Sequence, residues 1–307
     1  MSTPPAGTTK KRLFSRNDYL APLPIPTGRK PCDVLNIIWR KNEVFLDISN
    51  YSIGSAVMVL WPMVMLFLGL SYVFNDPDAL VLGACITGIP IFFLIQGLFR
   101  EAPLPVRFNR QRREVCVPQA DGEYWVVPWE SVTAAATQHS SVSQGGRVTM
   151  GLLVIGFENP DPQAKDDQKH FSMGFNCGGG TTAMALWECI RSYMEIGPDA
   201  APEAVALDSG GSLHYFIDYM RDKAKTRGWF LTILWEGFVG TIIFNAPLAV
   251  YLQRKKLYPP PDLTYPAIIE WSKPLPPEQW AKRSPELEIA IAEREAELAA
   301  QTAQEQA

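Results

Sequence analysis

The residues of this chain best suited to nucleophilic or metal chemistry are His139, His170 and His214, with Cys32, Cys85, Cys116, Cys177 and Cys189. A metal site asks for closely spaced ligands such as C-x-x-C or H-x-x-x-H, and none of these residues has such a companion. His170 and Cys177 are the one candidate thiol–imidazole pair, in which the ring would take the thiol proton. They fall on a strand-like stretch and the loop after it, a placement that reads as incidental. No serine sits in a G-x-S-x-G frame, and Asp166-Asp167 belongs to a solvated loop. Gly178-Gly179-Gly180 precedes a helix, where backbone N–H groups can hold an anion, but no lysine follows as a phosphate loop requires. A tight turn with a helix cap is the plainer reading. These residues point to no catalytic site, metal or cofactor.

Binding chemistry is better represented. Arg107, Arg110, Arg112 and Arg113 form one dense cationic cluster, and a cation near an anionic membrane surface contributes about 1 kcal/mol. The same arginines are also what ordinary positive-inside topology demands. Tyr265, Trp271 and Trp280 are scattered through a proline-rich stretch and are candidates for a partner interface, which favours aromatic side chains. Glu236 and Asn245 lie inside an apolar run, where an ionised and unpaired carboxylate would cost a few kcal/mol. Trp125 and Trp129 read as core. A net charge of −4 over 307 residues argues against nucleic acid as a partner.

The elements that must position these residues begin with two apolar runs. From Tyr51 to Phe74, and again from Ala79 to Phe99, there is no Asp, Glu, Lys, Arg or His. Each run is long enough for a bilayer core, which takes roughly 20 helical residues. Asn75-Asp76-Pro77-Asp78 leaves room only for a tight turn, so residues 51–99 are expected to form a transmembrane hairpin. Basic residues flank its open end and acidic ones its turn, which places the flanks in the cytoplasm. Before it, residues 1–30 read as a flexible basic, proline-rich tail. Residues 31–50 read as a juxtamembrane strand pair or an interfacial helix.

After the hairpin, residues 100–200 alternate as β-strands punctuated by turns at Gln111-Arg112-Arg113 and Asp121-Gly122. The period then lengthens. Met184, Trp187, Ile190, Tyr193 and Met194 recur at spacings of three and four, as on a helix that Thr181 or Thr182 caps and Gly197-Pro198 ends. An antiparallel β-domain closed by one helix is similar to pleckstrin-homology-like modules, a likeness of fold only. Residues 201–228 read as a linker and a helix bearing Phe216, Ile217 and Met220 on one face. Residues 229–252 form either a third span or a re-entrant segment. Residues 253–307 read as a proline-rich tail that drapes over a surface, then a helix with a thin apolar stripe that is solvated or a coiled-coil partner site. The expected fold class is thus an α+β membrane protein. The five cysteines, without paired spacing, read as free thiols.

Several stretches together carry a resemblance. They are Asn42-Glu43-Val44-Phe45-Leu46-Asp47, Arg107-Phe108-Asn109-Arg110-Gln111, the run Trp187 to Glu195, Pro266 to Ser272, and Gln279-Trp280. In this order around an apolar hairpin they resemble the DUF6708 proteins, uncharacterised bacterial inner-membrane proteins, over most of residues 31–290. Members tend to be encoded near type VI secretion effectors. The resemblance implies a non-enzymatic immunity or effector-accessory protein whose partner is a cognate secreted toxin, and it supplies no site residues. A lipid-binding or signalling module at the membrane surface, built on the arginine cluster, is the alternative.

Overall fold

A computed structural model describes residues 4–51, 53–143, 146–204 and 212–306. The chain divides into two compact units, each assembled from separated segments. The sheet unit comprises residues 1–50, 104–205 and 262–307; the helical unit comprises residues 51–103 and 206–261.

Two antiparallel five-stranded sheets build the sheet unit. The first has the order β1 (Thr9–Lys11), β2 (Ser15–Ala21), β8 (Thr133–Ser143), β9 (Gly146–Glu158) and β10 (His170–Asn176). The second runs in chain order: β3 (Ile38–Lys41), β4 (Phe45–Ile48), β5 (Val106–Asn109), β6 (Glu114–Pro118) and β7 (Tyr124–Pro128). One apolar core is shared by both sheets and by α3 (Gly180–Glu195). Phe108 of β5 sits edge-on to Trp129 at 5.8 Å, and Trp129 stacks on Trp187 of α3 at 5.4 Å. Trp129 and Trp187 are fully buried, so the amphipathic period of α3 is spent filling the space against the sheets.

The strand–turn reading of residues 106–128 matches this topology, while Trp129–Ser131, expected to continue as strand, forms a 3-10 turn. Asn109 makes the β5–β6 turn by accepting from the N–H groups of Gln111 and Arg112, while Arg113 takes a left-handed φ of 54°. Gly122, with φ +89°, makes the expected turn between β6 and β7. The segment 31–50 proves to be a strand pair.

Three further expectations are corrected. Residues 1–30 are not a free tail, because β2 pairs along β8 and buries Leu20 and Ala21. Averaging composition over the segment hid this short strand, whose backbone hydrogen bonds need no apolar run. Helix α3 starts on Gly179 with no side-chain cap, so neither Thr181 nor Thr182 serves. The last helix, Pro285–Gln306, is not solvated all round: Leu287 and Ile291 are buried, and Leu298 packs against Gly28. The β-domain therefore draws strands and helices from both ends of the chain as well as from residues 100–200.

In the helical unit, α1 (Gly54–Phe74, 21 residues) and α2 (Asp78–Phe99, 22 residues) are each long and apolar enough to cross a membrane. Their large side chains face outward, as Leu66, Leu82, Phe92 and Phe93 show. They pack through small residues, as helices do where lipid removes the hydrophobic drive. Gly83 and Thr87 are buried, and a Cβ on Gly83 would lie 2.7 Å from the Cβ of Phe67. Pro62 and Pro90 are accommodated inside the helices. The remaining elements are α4 (Ser212–Arg227), α5 (Trp229–Thr232), its continuation in π geometry to Ile243, and α6 (Ala246–Leu257). The axis bends by 66° between the π segment and α6. The expected face of α4 includes Phe216, whose side chain, like that of His214, lies outside the described residues.

Candidate functional site

The arginine cluster is built inward. Arg107, on β5, is 3% exposed and grips Asp47 of β4 through Nε–Oδ1 at 2.7 Å and Nη2–Oδ2 at 2.8 Å. It also donates to Asp262 at 2.7 Å and to the Ser272 hydroxyl at 3.0 Å. Arg40 joins at 2.8 Å from Asp262. Burial works against the Asp262 carboxylate, but hydrogen bonding to Arg107 and the charge of Arg40 hold it below its ordinary value.

A second knot forms around Glu195, the last residue of α3. Its carboxylate accepts from Arg113 at 2.8 Å, from Trp129 Nε1 at 2.7 Å and from Arg283 Nε at 2.6 Å. Arg283 also donates to the Glu195 carbonyl oxygen at 2.7 Å, and Glu130 receives Arg113 at 3.0 Å and the Ser284 N–H at 3.1 Å. Burial pushes the Glu195 carboxyl up, yet the bonds from Arg113, Trp129 and Arg283 outweigh it and leave the carboxyl lowered. Charge-assisted bonds of this kind are roughly twice as strong as neutral ones.

Arg107 and Arg113 are therefore not lipid-facing cations. Each is committed to a buried carboxylate, and releasing it would strand that charge. Arg110 and Arg112 are half-buried: Arg110 lies 5.2 Å over the Trp280 ring, and Arg112 donates to the Trp271 carbonyl at 3.0 Å.

The aromatic residues expected at a partner interface are likewise internal contacts. Trp271 donates to Glu114 at 2.6 Å, Trp280 to the Leu275 carbonyl at 2.9 Å, and the Tyr265 ring lies 4.8 Å from that of Tyr124. With Leu263 and Ile268, Tyr265 and Trp271 cover the Cys116 face of the second sheet. Residues 262–284 thus form a strap across that sheet. Gln111 clamps its second half at two points, accepting from Leu275 N at 2.7 Å and, through its carbonyl, from Ala281 N at 2.8 Å.

His170 and Cys177 do not meet. They are separated by the length of β10, roughly 20 Å of extended chain. Cys177 is buried, donates to the Phe175 carbonyl at 3.2 Å, and has its thiol pushed up by that burial. Burial likewise drives Cys116 and Cys189 up to about 12. The glycines before α3 serve a close approach: a Cβ on Gly151 would lie 2.3 Å from the Gly179 carbonyl carbon, and Gly178 has φ +71°. Among the described residues no group of His, Cys, Asp and Glu is placed to hold a metal.

In the helical unit Glu236 lies 4.0 Å from Arg227. Asn245 sits at the 66° bend in a left-handed conformation and caps α6 by accepting from Leu248 N.

The outer face of the first sheet carries small side chains. Ala135, Val154 and Gly174 lie in one register row beside Tyr19. A shallow groove of about 300 Å³ runs there, lined also by Phe171 and His170. Strand β10 is an edge and pairs only with β9 among the described residues.

A family model described as a family of unknown function (DUF6708) matches residues 84–257, more than half of the chain. The chain belongs to the DUF6708 family. No curated protein and no solved structure matches it. In this DUF6708 protein the stretches that carry the resemblance touch one another. Asn42 accepts from Tyr193 through its carbonyl at 2.8 Å, Asp47 binds Arg107, and Asn109 donates to the Trp271 carbonyl at 2.9 Å. Sequence reasoning missed Asp47, Glu195, Asp262 and Arg283 as partners. The available signal was that Asp47 and Glu195 end two of the motifs that flank the arginine cluster.

Proposed function

We propose that this chain is a multi-pass membrane protein of the bacterial inner membrane that acts by binding a protein partner at the cytoplasmic face, without catalysis. The observation that carries the reading is the helical hairpin, whose outward apolar side chains suit hydrocarbon and whose acidic turn and basic flanks follow the positive-inside bias. Tethering raises the local concentration of the sheet unit near membrane-bound targets. The partner class implied by the family resemblance is a toxin or effector of type VI secretion, which the protein would neutralise or handle. We read the sheet unit as pleckstrin-homology-like, a reading supported by strands followed by a helix that shares their core. Its β10 edge, paired only with β9 among the described residues, and the adjoining small-residue face suit a polypeptide, since an edge offers backbone donors and acceptors in register.

A lipid-reading module is the weaker alternative, because Arg107 and Arg113 are spent on Asp47 and Glu195. The test is a pull-down of the tagged full chain from gently solubilised native membranes. Recovery of one stoichiometric protein supports the reading, and its loss in Val154→Lys, with an unchanged melting curve, assigns the face. Recovery of anionic lipid without protein would move the assignment to the alternative.

A further inference from the structure

We infer that residues 229–257 form a re-entrant element that dips into one leaflet and leaves by the face it entered, its apolar surface covered by lipid of that leaflet. This rests on the membrane-anchor reading above. Connectivity supplies the first argument. Residues preceding the element are held in the sheet unit, where Lys41 donates to the Ala201 carbonyl and pairs with Glu203 at 2.8 Å. Residues following it return to the same unit at Asp262, bound to Arg107. A folded unit lies on one side of a bilayer, so the chain between must cross an even number of times. Helix α4 cannot supply a compensating crossing, since Arg221, Asp222 and Lys225 stand exposed along it. One crossing by residues 229–257 is therefore forbidden, and 29 residues with a 66° bend are too few for two.

Geometry inside the helical unit gives the second argument. The end of α6 is fastened to the open end of the hairpin: Gln253 accepts from the N–H groups of Ile53 and Gly54, and Lys256 donates to the carbonyls of Leu98 and Arg100. The bend is fastened only a short way in, where Trp61 Nε1 donates to the Ile242 carbonyl at 2.9 Å. Trp61 is two turns beyond Gly54, about 10 Å along a helix that spans about 30 Å. The deepest part of the element thus stays within one leaflet. Midway along the other limb, Gly237 approaches the Met220 side chain of the charged helix α4, which keeps that limb near the headgroups too. The surface left for lipid includes Phe230, Ile233, Trp235 and Phe238, all exposed.

The experiment labels single cysteines with a membrane-impermeant maleimide in sealed vesicles of both orientations. The full chain carries Cys32→Ser and Cys85→Ser, so that only the introduced thiol is exposed. The positions are Asp76→Cys in the hairpin turn, Lys225→Cys before the element and Lys255→Cys at its end; Asp222→Cys and Tyr258→Cys replace the latter two if either variant fails to fold. The expected result is labelling of positions 225 and 255 from one face and of position 76 from the other. Labelling of 225 and 255 from opposite faces would overturn the inference and leave the hairpin anchor standing. Labelling of all three from the same face would overturn both.

Discussion

At the scale of single residues, the decisive feature is that strong charges are paired inside the sheet unit. Glu195, with 1% of its side chain exposed, is held by Arg113 and Arg283 and by the indole of Trp129. Removing one partner of a buried pair strands the other, at a cost of about 3–5 kcal/mol. Glu195→Ala should therefore lower the melting temperature of the detergent-solubilised protein sharply. Arg283→Ala, at a third-exposed arginine, should cost nearer 1 kcal/mol. The pH dependence follows from the lowered carboxyl. Its stabilisation is complete above the ordinary value of 4.5 and is lost as pH falls through the depressed folded value. Melting curves taken downward from pH 5 should fall more steeply in the native protein than in Glu195→Gln, which has no carboxyl there to protonate. Equal slopes would remove Glu195 from the account.

At the scale of elements, close approach decides which substitutions are tolerated. Gly151 opens the inner part of β9 against the loop that leads into α3, and any side chain there must displace backbone at 2.3 Å. Overpacking of this kind costs about 1–3 kcal/mol, so Gly151→Ala should lower the denaturation midpoint by that equivalent. Gly69, with open space beside it in α1, is the matched control. In the hairpin, Gly83→Val should part α1 from α2 at Phe67, read as reduced yield of folded protein in membranes, while Gly88→Val, also with open space, should not.

At the scale of the whole molecule, both chain ends complete the sheet unit. Strand β2 extends one sheet and residues 262–284 cover the other, closing Cys116 completely. A chain ending at Pro261 should accordingly react at Cys116 with an alkylating reagent under native conditions, whereas the full chain should not. Mass spectrometry of the alkylated peptide reads the difference. If Cys116 stays protected, the strap is not what shields it.

Much of this was legible in the sequence, because local physics governs it. Forty-five uncharged residues in two runs are long and apolar enough for two membrane-crossing helices, and Asp121-Gly122 and the period of α3 state their conformations within a few residues. The order of residues likewise held the stretches that carry the resemblance to the family. What the sequence alone left open were pairings between distant residues. Nothing near Arg107 announces Asp262, and nothing near Glu195 announces Arg283, since opposite charges find each other through the tertiary fold at any separation along the chain. The same holds for the strap aromatics, which resemble interface residues until Glu114 and Tyr124 are seen beneath them. The side on which residues 229–257 leave the membrane is likewise an inference about the folded chain, because it depends on two remote segments belonging to one body.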